Sequence, residues 1–354
     1  MADLVLKNCL VHGKITDIEI LDGKISKIGK TDLDGIDISG KHVYPGLFDI
    51  HCHGANGFDT MDGDKLPEIS EYLLRHGITA WLPTTMTMSM EDIKRATTMP
   101  VRSNGASILG FHMEGPYIAE KFKGAQNAKY IKAPNLDEFS KLENIKMVTL
   151  APELAGSAEF IKKCGAVVSL GHTDCTYEQA ISAIESGAKC LTHTFNAMPP
   201  LHHRNPGPIG AAADKNIYVQ VICDGIHIHP AVIRILYKLF GKERMVLISD
   251  AMRATGLDDG VYSFGGQKII VSQGIARTEQ GALAGSTSTL MDCVKKAIDF
   301  GVPQEDAFFM ATATPASLMH VNKGYIAEGY DADLIILDEK LNLCSVVANG
   351  EIRI

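Results

Sequence analysis

The chain has no run of about 20 apolar residues, and without one a helix cannot span a bilayer. Its opening residues, Met1-Ala-Asp-Leu-Val-Leu-Lys-Asn-Cys-Leu10, put an acid at position 3 and lack the apolar core of a secretory signal, so no targeting segment is expected. Basic charge is also short: 34 Lys and Arg stand against 42 Asp and Glu, a formal net charge of -8. Non-specific nucleic-acid binding needs a basic surface and is excluded, although a local basic pocket for a small anion is not. Paired cysteines are missing. The eight cysteines (9, 52, 164, 175, 190, 223, 293 and 344) are scattered singly with no CxxC, which fits reduced thiols in a cytoplasmic protein. Neither nucleic acid nor membrane is expected as a partner.

What remains is a globular composition, 45% hydrophobic and 21% charged over 354 residues, enough for one large barrel or two ordinary domains. Residues 3–28 read as short strands, with Asp22-Gly23 as a hairpin turn between alternating apolar runs. From Pro45 the pattern becomes strand, loop, helix. Strands are expected at 46–53, 78–84, 107–114, 146–151, 166–172, 189–195, 217–224 and 245–251, with helical periodicity at 65–76, 156–164, 176–187 and 230–240. Nearly continuous apolar strands alternating with helices imply a buried parallel sheet, and eight units imply an α/β fold of the (β/α)8, TIM-like barrel type. Residues 261–283 interrupt the scheme as a β-hairpin insertion, and helices are expected at 286–300 and 304–320. The tail returns to strands. Residues 1–44 and 324–354 are therefore expected to pair into a small β-sandwich domain, with the barrel, 45–323, inserted between them.

The chemistry gathers at the strand ends. In Pro45-Gly-Leu-Phe-Asp-Ile-His-Cys-His-Gly54, His51 and His53 stand two apart and share a face of an extended strand. Alone, the pair fits solvated histidines as well as metal ligands. Glu114 then ends the third strand, His172 the fifth, His193 the sixth and Asp250 the eighth, at the barrel face that carries active sites. Six metal-competent side chains at five strand ends point to a metal site. Nitrogen and oxygen donors suit Zn, Fe, Mn or Co. Glu114, His172 and His193 complete one site; His51 and His53 can build a second, with Glu114 bridging. Asp250 is the candidate general base and acid. His112 shares a strand face with Glu114 and is a candidate to support the ligands. His202 and His203 read as loop-surface residues, His229 as a helix entry, and Trp81, Cys52 and Cys223 as core.

The sequence resembles the amidohydrolase superfamily, and within it the N-acetylglucosamine-6-phosphate deacetylases. The motifs that carry the resemblance are the HxH stretch, Gly110-Phe-His-Met-Glu-Gly-Pro-Tyr117, Ser169-Leu-Gly-His-Thr173, His193-Thr-Phe-Asn-Ala-Met198, Arg204-Asn-Pro-Gly207, Asp224-Gly-Ile-His227, Ile248-Ser-Asp-Ala251, Leu283-Ala-Gly-Ser286 and Gly329-Tyr-Asp-Ala-Asp-Leu334. The resemblance implies that metal-activated water attacks the acetamide of the sugar phosphate, releasing acetate and glucosamine 6-phosphate. It implies Glu114, His172 and His193 as main ligands of one or two divalent ions, and Asp250 as the proton-transfer group. Asn196, Ala197 and the Leu283-Ala284-Gly285 turn would contact substrate, while Arg204 and His227 would hold the 6-phosphate. A homodimer is implied, because in the family a phosphate contact can come from a neighbouring subunit. Where members often carry a histidine that touches the substrate carbonyl, this chain has Ala125 followed by Gln126, whose amide can donate to a developing oxyanion but carries no charge. Two other readings stand beside this one. A cyclic-amide hydrolase of the dihydroorotase or allantoinase kind uses a carboxylated lysine after the fourth strand, where this chain has Ala151-Pro-Glu153. A non-catalytic scaffold would have lost ligands that are all present here.

Overall fold

The computed structural model describes residues 2–98 and 103–354. Eight parallel strands form the barrel: β1 (Leu47–Cys52), β2 (Ile78–Thr85), β3 (Phe111–Glu114), β4 (Ile145–Leu150), β5 (Val167–Leu170), β6 (Cys190–Leu191), β7 (Tyr218–Ile222) and β8 (Met245–Ile248). Each is hydrogen-bonded to the next in chain order. The ring closes where the Asp250 N–H donates to the His51 carbonyl at 2.9 Å. Every residue of β1 and β2 is buried, so both are predominantly apolar on either face, with Asp49, His51 and the threonines as buried polar exceptions.

Two apolar layers sandwich the barrel wall. Phe48, Ala80, Leu82, Met147, Cys190, Ile222 and Val246 form one cluster, which Ala316 and Leu318 join. Ile78, Trp81, Val148, Leu170, Val219 and Leu247 pack in the other, with Leu73, Phe160, Ala180, Ile233 and Phe308 of the surrounding helices. Further along the strands the first layer turns polar: Leu82 is followed by Thr84, Met147 by Thr149, Cys190 by Thr192. That change marks the carboxyl end, where the site lies.

Strands from both ends of the chain share one sheet. His42–Pro45 runs antiparallel to Leu334–Leu337, which pairs with Leu343–Ala348; on the other side lie Leu4–Val11, Lys14–Leu21 and Lys24–Ile28. The sheet folds over on itself, since Ala332 N–H reaches the Gly23 carbonyl at 2.8 Å. Alternation divides Leu334–Leu337 between two cores. Leu334 and Ile336 face the small domain with Leu6, Ile18 and Ile20, while Ile335 and Leu337 join the barrel's outer layer. Tyr44 seals the junction by stacking on Phe308, with ring centroids 3.8 Å apart.

Three expectations need correction. The insertion is a three-stranded antiparallel sheet, Gly260–Phe264, Gln267–Ser272 and Ile275–Thr278, not a hairpin. Its second turn, Gln273-Gly274, has positive φ at both residues and so folds the short third run back. The helix expected at 304–320 is two helices, Gln304–Met310 and Ala313–Met319. Pro315 has no N–H to give to Ala311, and restarting at Ala313 puts it in a first turn, where none is needed. The strand expected at 107–114 is interrupted after Ser107–Ile108, with Gly110 at φ 129° before β3.

Gly46, at the entrance to β1, tests the wall's closeness. A Cβ there would lie 2.2 Å from Thr79 Oγ1 and 2.4 Å from Thr79 Cγ2. Gly46→Ala is expected to cost about 1–3 kcal/mol in urea unfolding, as overpacking does, and adding Thr79→Ala should restore part of the loss.

Candidate metal centre

Four imidazoles and two carboxylates meet at the carboxyl end of the barrel, and each is at most 7% exposed. Glu114, at the end of β3, stands between them. Its Oε1 lies 3.3 Å from His51 Nε2, 3.4 Å from His172 Nε2 and 3.1 Å from His193 Nε2. Its Oε2 lies 3.3 Å from His53 Nε2. Asp250 Oδ1 faces the HxH pair, 3.4 Å from His51 Nε2 and 3.3 Å from His53 Nε2. Two sets with metal-ligand spacing result, sharing Glu114: one with His51 and His53, the other with His172 and His193.

Hydrogen bonds behind the rings decide what each presents. Nδ1 of His53 meets the Thr84 carbonyl (3.1 Å), that of His172 the Phe122 carbonyl (2.8 Å) and that of His193 the Asn196 carbonyl (3.2 Å). Carbonyl oxygens only accept, so each Nδ1 carries its hydrogen. His51 Nδ1 donates in the same way to Gln220 Oε1 at 2.9 Å. All four rings therefore turn Nε2 inward, with His51 facing His53 and His172 facing His193 at 3.2 Å. Bare lone pairs do not face one another at that distance in a buried site. Protons or a cation must lie between them, and backing of this kind orients metal-binding histidines.

The electrostatics agree. Burial pulls the His53 imidazole down, but hydrogen bonds and charge from Asp250 and Glu114 overcome it and carry the ring up to about 10. Burial likewise pushes the Glu114 and Asp250 carboxyls up, yet the surrounding imidazoles hold both below the usual carboxylate range. The carboxylates thus favour a proton on His51 and His53, whereas burial outweighs them at His193 and lowers that imidazole.

Strand alternation does not by itself aim these side chains. His172, His193 and Asp250 have φ of 47°, 25° and 49°, the left-handed region that residues other than glycine rarely occupy. Each lies two residues beyond the last paired residue of its strand, where the backbone reversal prevents the strand from continuing. The strand expected at 189–195 is accordingly short, Cys190–Leu191, and positive φ at His193, Phe195 and Ala197 keeps it from running on. Backbone held this way is over-determined by its surroundings, as at other functional sites.

A cavity of about 400 Å³ opens onto the centre. Ala125, Gln126, Asn196, Ala197, His227, Leu283 and Gly285 line it, as the sequence suggested for substrate contacts, whereas Ala284 is buried just behind. Gln126 differs from the oxyanion donor envisaged. Its amide donates to Glu114 Oε2 at 2.5 Å and accepts the Thr87 N–H at 2.7 Å, so it orients a carboxylate of the centre. His227 is presented by Asp224, whose Oδ2 takes the Nδ1 hydrogen at 2.7 Å while Oδ1 accepts the N–H groups of Ile226 and His227. Arg204 is not brought to this cavity; it is exposed beside a separate hollow with Asp174 and Tyr177.

His112 touches no ligand oxygen. It bridges the Ile50 carbonyl (3.0 Å) and Thr149 Oγ1 (2.8 Å) and packs edge-on to His51. His229 caps the helix Pro230–Arg244 by accepting the Ala231 N–H. Trp81 is core, donating to Ser70 Oγ. Gln220 and Phe264 did not stand out in the sequence, and Asp224, although part of Asp224-Gly-Ile-His227, had no role assigned to it. A lone polar residue inside Tyr-Val-Gln-Val-Ile was the available signal for Gln220.

A family model described as "Amidohydrolase family" matches residues 42–353. The chain belongs to the amidohydrolase family. This amidohydrolase is 35% identical to the N-acetylglucosamine-6-phosphate deacetylase of Lysinibacillus sphaericus, over 96% of its own length and 93% of the relative's. It is 34% identical to the N-acetylgalactosamine-6-phosphate deacetylase of Escherichia coli O157:H7, over 95% and 94%. Among solved structures it resembles a mutant N-acetyl-D-glucosamine-6-phosphate deacetylase from Mycobacterium smegmatis in complex with N-acetyl-D-glucosamine 6-phosphate, with a TM-score of 0.93, 31% identity and 99% of each chain covered. The superfamily is metal-dependent, in keeping with the donor set. No helix among the described residues is long and apolar enough to cross a membrane.

Because His53 holds its proton up to about 10 in the metal-free centre, binding a divalent ion must expel it. Metal added to chelator-stripped protein in weak buffer is expected to release at least one proton per chain between about pH 6 and 9, with affinity rising roughly tenfold per pH unit. A pH-independent affinity with no proton release would contradict this.

Proposed function

We propose that this amidohydrolase removes the acetyl group of N-acetyl-D-glucosamine 6-phosphate, giving D-glucosamine 6-phosphate and acetate, a step of amino-sugar catabolism. The observation that carries the reading is the convergence of four Nε2 atoms on Glu114 in a buried cavity, with Asp250 beside them. The names of the relatives supply the substrate. Glu114, His172 and His193 would hold one divalent ion, and His51 and His53 with Glu114 could hold a second; Zn, Fe, Mn and Co all suit these donors. Bound there, a divalent ion supplies a Lewis acid and makes water nucleophilic near neutral pH.

The other steps fall to the chain's own residues. Asp250, whose Oδ1 stands beside the HxH pair, would take the proton from the attacking water and return it to the departing nitrogen. Asn196, Ala197, Ala125 and the Leu283–Gly285 turn contact the substrate, and Gln126 steadies Glu114. His227 takes the 6-phosphate, with Asp224 fixing the ring so that Nε2 faces the cavity. Arg204 lies outside its own chain's cavity, so its phosphate contact is made in a neighbouring subunit of a homodimer. The reading includes a cytoplasmic location, in keeping with eight cysteines that are all free thiols. The galactosamine epimer is the second reading, favoured by the Escherichia coli relative, and differs at one hydroxyl.

Acetate release tests the function. Turnover of the 6-phosphate is expected to exceed that of unphosphorylated N-acetylglucosamine by on the order of 100-fold in kcat/KM, the worth of charge-assisted hydrogen bonds to phosphate. Equal turnover would remove the roles of His227 and Arg204, and no acetate from either epimer's 6-phosphate would reject the function. The cross-subunit role has its own test. Arg204→Ala and Asp250→Asn proteins, each impaired alone, are expected to recover about a quarter of wild-type activity after mixed refolding, since only heterodimers carry an intact site. Mixtures no more active than their components would refute it.

A further inference from the structure

The insertion sheet contributes one residue to the cavity that the proposed chemistry leaves unused. Phe264, the last residue of Gly260–Phe264, is 3% exposed, lines the cavity and meets the His53 ring edge to face, with centroids 5.0 Å apart. Three contacts fix it there. It packs in a small core with Met86, Ala125, Met252 and Ile269. The Gly265-Gly266 turn that follows has φ of 55° and 75°, and a Cβ on Gly265 would come within 2.9 Å of Met86 Cε, so the turn is seated directly on the barrel. The Gln267 side-chain amide then donates to the Ala125 carbonyl. The wall beside His53 is therefore apolar and rigid, whereas Asn196 and His227 furnish polar groups elsewhere in the cavity.

An N-acyl amino-sugar phosphate has one apolar part next to the bond that is cut, the acyl chain itself. Its carbonyl must sit against the metal-binding side chains, so the chain beyond it must meet whatever surface adjoins them. We propose that Phe264, with Ala125, forms the acyl pocket and limits the acyl group to about the size of acetyl, making Phe264 a specificity-determining residue. This rests on the deacetylase reading. Because the ring is held by packing, by the turn and by Gln267, it cannot swing away for a longer chain without dislodging the sheet that carries it.

The test compares N-acetyl-, N-propionyl- and N-butyryl-glucosamine 6-phosphate as substrates of the metal-loaded wild type, Phe264→Ala and Phe264→Leu, with metal content and folding measured on each. The wild type is expected to lose roughly 10- to 200-fold in kcat/KM for each added methylene. In Phe264→Ala the acetyl-to-butyryl ratio should fall by at least about tenfold at unchanged metal content, and Phe264→Leu should fall between. Phe264→Leu keeps the test open if the alanine variant does not fold. A wild type indifferent to acyl length, or folded and metal-loaded variants with the wild-type ratio, overturns the proposal while leaving the deacetylase reading intact. A wild type that releases no acid from any of the three overturns both.

Discussion

Everything at the mouth of this barrel depends on one electrostatic demand: four imidazole nitrogens must point at a single buried carboxylate without repelling one another. That demand is met from behind. Backbone carbonyls of Thr84, Phe122 and Asn196, and the amide oxygen of Gln220, take the outer hydrogens and leave the inner nitrogens free. The carbonyls belong to loops and strand ends that are themselves fixed, so the ligands inherit the rigidity of the scaffold. Ring closure is part of the same arrangement, because the Asp250 N–H that joins β8 to β1 ends on the carbonyl of His51. A distortion at the centre is thus also a distortion of the barrel seam.

Around this centre the cavity divides by chemistry. Its floor is charged, one side is polar through Asn196 and His227, and the side made by the insertion is apolar through Phe264 and Ala125. The insertion packs on Met86 and Met252, residues that follow strands β2 and β8, so the catalytic face is roofed by a unit docked on the barrel it covers. Floor and roof meet at His53, which belongs to the ligand cluster and touches Phe264.

Much of this was legible in the sequence, and the reasons differ from residue to residue. Glu114, His172, His193 and Asp250 were visible because polar residues ending apolar strands are conspicuous against a buried wall. The left-handed backbone of His172, His193 and Asp250 was not visible, since no glycine or asparagine marks those three positions. Gln126 was recognised by its place but not by its partner, because an amide that can reach an oxyanion can equally reach Glu114. Arg204 was chemically apt for phosphate, yet sequence gives no indication that its loop lies outside its own cavity. Phe264 was hidden altogether: an aromatic beside two glycines in an alternating run looks like hairpin packing, and only tertiary docking turns it toward the centre. The break before Ala313 could have been read from Pro315, whose missing N–H forbids a continuous helix.

The pairing of His42–Pro45 with Leu334–Leu337 bears on how the chain is made. A ribosome delivers the amino-terminal strands first, and Leu4–Val11, Lys14–Leu21 and Lys24–Ile28 can pair locally through tight turns as soon as they emerge. Their neighbour at the sheet's centre, His42–Pro45, must then wait with an open edge and an unfilled core while the whole barrel is synthesised. Until Leu334–Leu337 joins it, His42–Pro45 has an unpaired β-edge that chaperones can hold and other chains can find.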